Sequence, residues 1–300
     1  MLRKGIVASA TFPGIRDDLR QFRQAVADVT AAGVFDGFEF YYAGTPAEER
    51  EIGALLERSG LYPSYLPGFE MKRDGLDLGA ERWEDRRRAV DRCLGFVRTA
   101  YNTRARKMLI LSGPRPAGPF DPEEYLARFS LSLEEILAYA EAQAGEYILE
   151  ITLEFFNDTG EPWLAIGGAR TVDRLLGMPC AAHTHLGVTF DTSHVAQLRE
   201  DLREDYRLLA PRIRHIHLAN CVIDDASDPL YGDRHPVFNL PGGVFRDRDM
   251  ASFLSWTAQE PGFDRVDLCS VEIIPHPGME PVECFRHAVA SARAVFSALG

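Results

Sequence analysis

Short apolar runs rich in β-branched residues alternate along the whole chain with longer stretches of helical periodicity. In residues 17–32, Leu19, Phe22, Val26 and Val29 recur at the spacing of one helix face, and Gly33 follows as a stop signal. The same patterns predict strands at residues 5–12, 37–42, 61–67, 108–111, 148–155, 186–191, 213–218 and 266–274. They predict helices at residues 17–32, 46–58, 81–101, 122–144, 170–176, 195–209, 250–259 and 281–299.

Each predicted strand precedes a predicted helix, and no internal repeat, tail or low-complexity linker interrupts this order. Such alternation is typical of parallel strands joined by crossover helices. The length of 300 residues fits one α/β domain of this kind, and we expect a single (β/α)8 TIM barrel over residues 1–300. A doubly wound open sheet is the alternative, but no G-x-G-x-x-G follows the first strand.

Composition narrows the class of protein. The hydrophobic share of 46% and the charged share of 26% are those of an ordinary globular chain. No apolar run approaches the roughly 20 residues of a membrane span, and the first residues lead into a strand, not a signal peptide. The five cysteines are an odd number without a C-x-x-C pair, which is typical of reduced thiols. We therefore expect a cytoplasmic protein with no membrane association.

Four predicted strands of the second half carry a metal-ligating side chain near their carboxyl ends: Glu154, Asp191, His217 and Glu272. In a parallel barrel, functional residues lie at the carboxyl ends of the strands. Three carboxylates and one imidazole form an oxygen-rich set that favours Mn²⁺ or Mg²⁺ and is compatible with Zn²⁺ or Co²⁺. The alternative is that these are unrelated polar residues on loop edges.

Other ionisable residues limit the chemistry. Glu150 shares a strand face with Glu154 but lies lower, where it either serves the site or pairs with Lys107. His215 is predicted to be a hydrogen-bonded interior histidine below His217. The chain has three lysines, and none stands late in a predicted strand, which disfavours Schiff-base chemistry.

The motifs around these residues resemble the xylose-isomerase-like TIM-barrel superfamily, in its branch of sugar isomerases and epimerases typified by D-tagatose and D-psicose 3-epimerases. The resemblance is carried by Glu154, Phe190-Asp191-Thr192-Ser193-His194, His215-Ile216-His217-Leu218 and Val271-Glu272. It implies one divalent metal ion held by Glu154, Asp191, His217 and Glu272, and a contact between His194 and a substrate hydroxyl. In the looser match Phe38-Glu39-Phe40, Glu39 either faces the substrate or is a structural strand-end carboxylate.

The chain departs from the epimerase pattern after the seventh strand. Those enzymes carry an arginine there, and residues 219–223 of this chain contain no basic residue. A long segment, residues 224–243, follows, and we expect Arg234 or His235 from it to contact the substrate. Asp233 and His235 also resemble a D-x-H motif of the endonuclease IV branch. That branch needs histidines in the first half, whereas here all eight lie from His183 onward.

Three functional hypotheses follow. The first is a metal-dependent isomerase or epimerase that moves a proton next to the carbonyl of a small ketose or keto-polyol through an enediolate, with Glu154 and Glu272 as acid and base. The second is a metal-dependent dehydratase or β-eliminating lyase on keto-sugars or keto-glycosides. The third is a non-catalytic, metal-stabilised binding subunit. The partner is a small carbohydrate; the net charge of −12 disfavours nucleic acid, and a homo-oligomer is compatible with the sequence.

Overall fold

The computed structural model describes residues 2–116, 118–157 and 164–299. Parallel strands pair in chain order, and β8 returns to pair with β1, so that the sheet closes into a barrel. The strands are β1 Arg3–Val7, β2 Gly37–Phe40, β3 Tyr62–Tyr65, β4 Lys107–Ile110, β5 Glu150–Glu154, β6 Leu186–Asp191, β7 Ile213–Ala219 and β8 Leu268–Glu272. The predicted (β/α)8 TIM barrel is therefore confirmed.

Helices surround the barrel and bury their apolar faces against it. They are α1 Ala8–Thr11, α2 Leu19–Ala32, α3 Pro46–Ser59, α4 Gly68–Arg73, α5 Trp83–Asn102, α6 Pro122–Ala142, α7 Ala169–Leu175, α8 Thr192–Gln197, α9 Leu202–Leu209, α10 Asp247–Thr257 and α11 Pro281–Phe296. Short 3₁₀ turns lie at Pro13–Arg16, Pro179–Ala182, Phe263–Arg265 and Ser297–Leu299. Within the described residues, the helices are too short or too polar to cross a membrane.

Local sequence signals fix many helix ends. The Asp18 carboxylate accepts hydrogen bonds from the first backbone amides of α2, and Gly33 ends this helix at φ 65°, where a side chain would strain the backbone. Thr45 and Glu48 form a reciprocal capping box at the start of α3. These signals explain why the predicted and observed helices agree closely here.

Three segments differ from the sequence prediction. The first strand ends at Val7, since the residues up to Thr11 form a helical turn. The predicted helix at residues 195–209 is two helices, because the backbone at Arg199 adopts φ 57°. Residues 70–79, between the predicted strand at 61–67 and the predicted helix at 81–101, contain most of α4, which lies on the carboxyl side of β3.

The lower barrel interior is polar. Lys107 is fully buried, forms an ion pair with Glu150 and lies 3.0 Å from Asp267. Above it, His215 Nε2 lies 2.9 Å from Glu39 Oε1. The predicted Glu150–Lys107 pair and the interior position of His215 are therefore confirmed, and they form the floor below the carboxyl-terminal end of the barrel.

Candidate metal centre and active site

Glu154, Asp191, His217 and Glu272 converge at the carboxyl-terminal end of the barrel. Parallel pairing sets Asp191 beside His217 and Ala219 beside Glu272. One ligating atom from each of the four side chains lies within 4.8 Å of the other three. His217 Nδ1 lies 3.0 Å from Glu154 Oε1, 3.0 Å from Glu272 Oε2 and 3.8 Å from Asp191 Oδ2. The structure thus brings all four predicted ligands together.

The two oxygens of Asp191 have separate environments. Oδ1 caps α8: it accepts hydrogen bonds from the backbone amides of Ser193 (2.6 Å) and His194 (3.2 Å) and from Ser193 Oγ (2.6 Å). Oδ2 is buried and has no hydrogen-bond donor among the described residues. A buried carboxylate oxygen without a donor is costly in free energy unless a cation lies against it. This oxygen therefore fits a divalent ion.

Glu39 lies below the cluster, not in front of it. It is fully buried, and its carboxylate accepts hydrogen bonds from Ser64 Oγ (3.1 Å) and His215 Nε2. His217 Nε2 lies 3.4 Å from Glu39 Oε1, within ion-pair distance. A carboxylate next to the nitrogen of a histidine that does not bind the ion keeps the proton on that nitrogen. The second nitrogen of the ring then keeps its lone pair for the ion. Of the two predicted roles of Glu39, the geometry fits the structural one.

The ionisable side chains of the cluster favour the binding of a cation. Burial raises the pKa of Glu154. Burial also disfavours ionised Glu272, but the positive charges of His235 and His217 lower its pKa to about 2. Burial disfavours charged His217 as well, yet Glu39 and Glu272 raise its pKa well above the usual range. Without an ion, a proton on His217 balances part of the negative charge, and a divalent ion would replace that proton.

A second set of polar groups forms one wall beside the cluster. The His194 Nδ1–H donates to the Phe155 carbonyl at 2.9 Å, and His194 Nε2 lies 3.4 Å from Asp233 Oδ1. His235 Nε2 lies 2.7 Å from the same oxygen. Lys72 Nζ lies 3.3 Å from Asp233 Oδ2 and 4.5 Å from the centre of the Phe156 ring. Asp233 thus joins the loop after β7 to α4 and lies close to both histidines.

Two connected cavities lie in front of this wall. The inner one has a volume of about 110 Å³. It is lined by three side chains of the cluster, Glu154, His217 and Glu272, and by His194, Asp233 and His235. The outer one, of about 1250 Å³, shares Arg16, Phe69, Lys72, Asp233 and Ile274 with it. Arg234 is exposed and lines the outer cavity, whereas His235 lines the inner one.

Sequence reasoning missed Arg16 and Lys72 as cavity residues and left the role of Asp233 open. Arg16 donates to the Ser9 carbonyl through Nε (3.0 Å) and Nη2 (2.8 Å), and its partial burial lowers its pKa. Neither basic residue lies within a recognisable motif. Their position in the sequence could have indicated a place in the cavity. Arg16 follows β1 and Lys72 follows β3 on the carboxyl side, where substrate-facing loops lie.

Comparisons with known proteins agree with the architecture. A D-tagatose 3-epimerase-like protein has a TM-score of 0.74 and 16% identity, covering 99% of this chain and 97% of that chain. An L-ribulose 3-epimerase has a TM-score of 0.73 and 18% identity, covering 100% and 94%. A 3-keto-D-glucoside 4-epimerase from E. coli has a TM-score of 0.68 and 15% identity, covering 98% and 99%. At these identities the likeness shows the fold alone.

Sequence comparison assigns the family. No functionally curated protein matches the chain. The sequence profile of the xylose isomerase-like TIM barrel matches residues 26–295, which is most of the sequence. The chain therefore belongs to the xylose isomerase-like TIM barrel family, as its motifs predicted.

Proposed function

We propose that this protein is a metal-dependent isomerase or epimerase of a small ketose or keto-polyol. The observation that carries the proposal is the convergence of Glu154 and Glu272, each 3.0 Å from His217 Nδ1, with the donor-free Asp191 Oδ2 beside them. Two carboxylates on either side of one ion-binding point supply both a proton acceptor and a proton donor. Several structural neighbours are sugar epimerases, which supports this class of reaction.

Each residue of the site has its own role in the proposed proton transfer. Glu272, which His235 and the bound ion would hold ionised, removes the proton from the carbon next to the carbonyl. Glu154, whose pKa burial raises, returns a proton to the resulting enediolate, either on the other face or on the neighbouring carbon. His194 and His235 hold substrate hydroxyls at the inner cavity wall. Glu154, Asp191, His217 and Glu272 would hold a divalent ion, which would supply positive charge for the enediolate oxygens.

Proton exchange with solvent tests this proposal directly. The Mn²⁺-loaded protein is incubated in D₂O with D-tagatose, D-fructose, D-psicose and D-ribulose, and loss of the proton next to the carbonyl is followed by ¹H NMR. We expect exchange with at least one ketose, accompanied by its epimer or aldose. The matched control is the Glu272→Gln variant, in which exchange should stop. If Mg²⁺, Mn²⁺, Co²⁺ and Zn²⁺ forms all leave every ketose unlabelled, the proposal is wrong.

A lyase acting on keto-glycosides is the second candidate, and the outer cavity favours it. A volume of about 1250 Å³ in contact with the inner cavity leaves room for a group attached to the reacting sugar. The first step is the same proton removal, after which the bond to the neighbouring leaving group breaks and the leaving group takes a proton. Product analysis with a 3-keto-glucoside separates the candidates, because elimination releases the free aglycone and epimerisation keeps it attached.

A further inference from the structure

A second group of metal-ligating side chains lies at the opposite end of the barrel, on the amino-terminal side of β6. Glu141 stands in the last turn of α6, His183 follows the 3₁₀ turn at Pro179–Ala182, and His185 directly precedes β6. One ligating atom of each lies within 4.8 Å of the other two. The proposed reaction uses none of these residues.

The protonation of His185 follows from its contacts. Its Nε2 lies 3.3 Å from the Leu137 carbonyl, which can only accept, so Nε2 carries the hydrogen. With its hydrogen on Nε2, the neutral imidazole has its lone pair on Nδ1. The His185 side chain is 7% exposed, and Nδ1 is buried without a hydrogen-bond partner among the described residues. A buried lone pair that faces a carboxylate requires a cation or a proton between them.

The other two side chains complete a three-ligand site. Glu141 Oε1 lies 3.4 Å from His185 Nδ1 and 3.0 Å from His183 Nδ1. Ligand atoms about 2.1 Å from a tetrahedral ion are about 3.4 Å apart, so these separations need little adjustment. The Glu141 and His183 side chains are 44% and 21% exposed, which gives an ion and a completing water access from solvent.

We propose that Glu141, His183 and His185 form a second divalent-ion site that takes Zn²⁺, Cu²⁺ or Ni²⁺. Two imidazoles and one carboxylate favour these ions over Mg²⁺ and Mn²⁺, which prefer all-oxygen or oxygen-rich sets such as the cluster at the other end of the barrel. An ion here ties the end of α6 to the start of β6. The site is therefore structural and stabilises the amino-terminal face of the barrel.

Zn²⁺ titration by calorimetry tests the site in the Asp191→Asn variant, which lacks one ligand of the other cluster. We expect one Zn²⁺ per chain to bind at the second site, and His183→Gln or Glu141→Gln in that background to weaken it at least tenfold. Both replaced side chains are partly exposed, so the fold should tolerate the changes. His287→Gln removes an exposed histidine on α11 and should leave the affinity unchanged.

Cu²⁺ electron paramagnetic resonance gives a second measurement that does not depend on the Asp191 variant. In the chain with intact Asp191, the signal should include coordination by two imidazole nitrogens that disappears in His183→Gln and persists in His287→Gln. Equal Zn²⁺ affinity in the His183→Gln and His287→Gln proteins, or a Cu²⁺ signal identical in both, would show that these residues hold no ion.

Discussion

At the scale of single residues, the candidate site depends on side chains whose two polar atoms make different contacts. Asp191 caps α8 with Oδ1 and turns Oδ2 toward the cluster. His217 turns one nitrogen toward Glu39 and the other toward Glu154 and Glu272. Because the protein holds the other end of each side chain, the ligand atoms are positioned before any ion binds, which lowers the free-energy cost of binding.

The role of Glu272 gives a first prediction. Replacing Glu272 by Gln removes a proton acceptor with little change in volume, so turnover should fall by about 10²- to 10⁴-fold. The circular dichroism spectrum should match the wild type, and Mn²⁺ should still bind, which calorimetry measures. A folded, Mn²⁺-loaded variant with near-normal turnover would make Glu272 a ligand without a role in proton transfer.

Glu39 gives a second prediction, which separates its two proposed roles. Glu39→Gln removes the charge behind His217, so Mn²⁺ affinity should fall by about 10- to 100-fold. At saturating Mn²⁺, KM should stay close to the wild-type value, because Glu39 does not line the inner cavity. Exposed Glu57 provides the matched Glu→Gln control. A raised KM with unchanged Mn²⁺ affinity would instead indicate direct contact with substrate.

At the scale of elements, the loop after β7 is held to α4 by an ion pair whose two residues line both cavities. Asp233 contacts Lys72 of α4 on one side and His235 on the other. Burial disfavours charge on Asp233, but Lys72 and His235 lower its pKa well below the usual range. The carboxylate therefore stays ionised and connects the loop after β7 to α4, which lies far away in the sequence.

This arrangement predicts that replacing His235 lowers activity more than replacing its neighbour Arg234. His235→Ala should lower kcat/KM by about 10- to 150-fold, since a buried contact to a charged group contributes about 1.5–3 kcal/mol. Arg234→Ala should change it by about twofold or less, because the side chain is exposed. Mn²⁺ affinity, measured in parallel, should remain unchanged in both variants. A larger loss from Arg234→Ala would assign it the part of the arginine missing after β7.

At the scale of the whole molecule, the barrel collects negative charge at one end from distant parts of the chain. Bringing Glu154, Asp191 and Glu272 together costs free energy through their mutual repulsion and loss of solvent. An ion bound at the proposed metal centre would relieve that cost only in the folded state. Folding and ion binding would then be coupled.

The coupling predicts a concentration-dependent melting temperature. Mn²⁺ at 100 times its Kd should stabilise the fold by about 2.7 kcal/mol, which raises Tm by roughly 4 °C. Chelation with EDTA should reverse the shift, as followed by circular dichroism. In Asp191→Asn, which lacks the donor-free oxygen, Mn²⁺ should shift Tm far less. An equal shift in both proteins would mean that Mn²⁺ binds elsewhere.

The sequence by itself determined the barrel and the four residues of the candidate metal centre. Hydrophobic periodicity and capping signals are local, and residues at the carboxyl ends of parallel strands meet whatever the details of packing. Tertiary structure alone placed Glu39 beneath His217, set Lys72 against Asp233, and buried His185 against Leu137 near Glu141. These contacts join residues far apart in the chain through side-chain rotamers and loop paths, which no local pattern encodes.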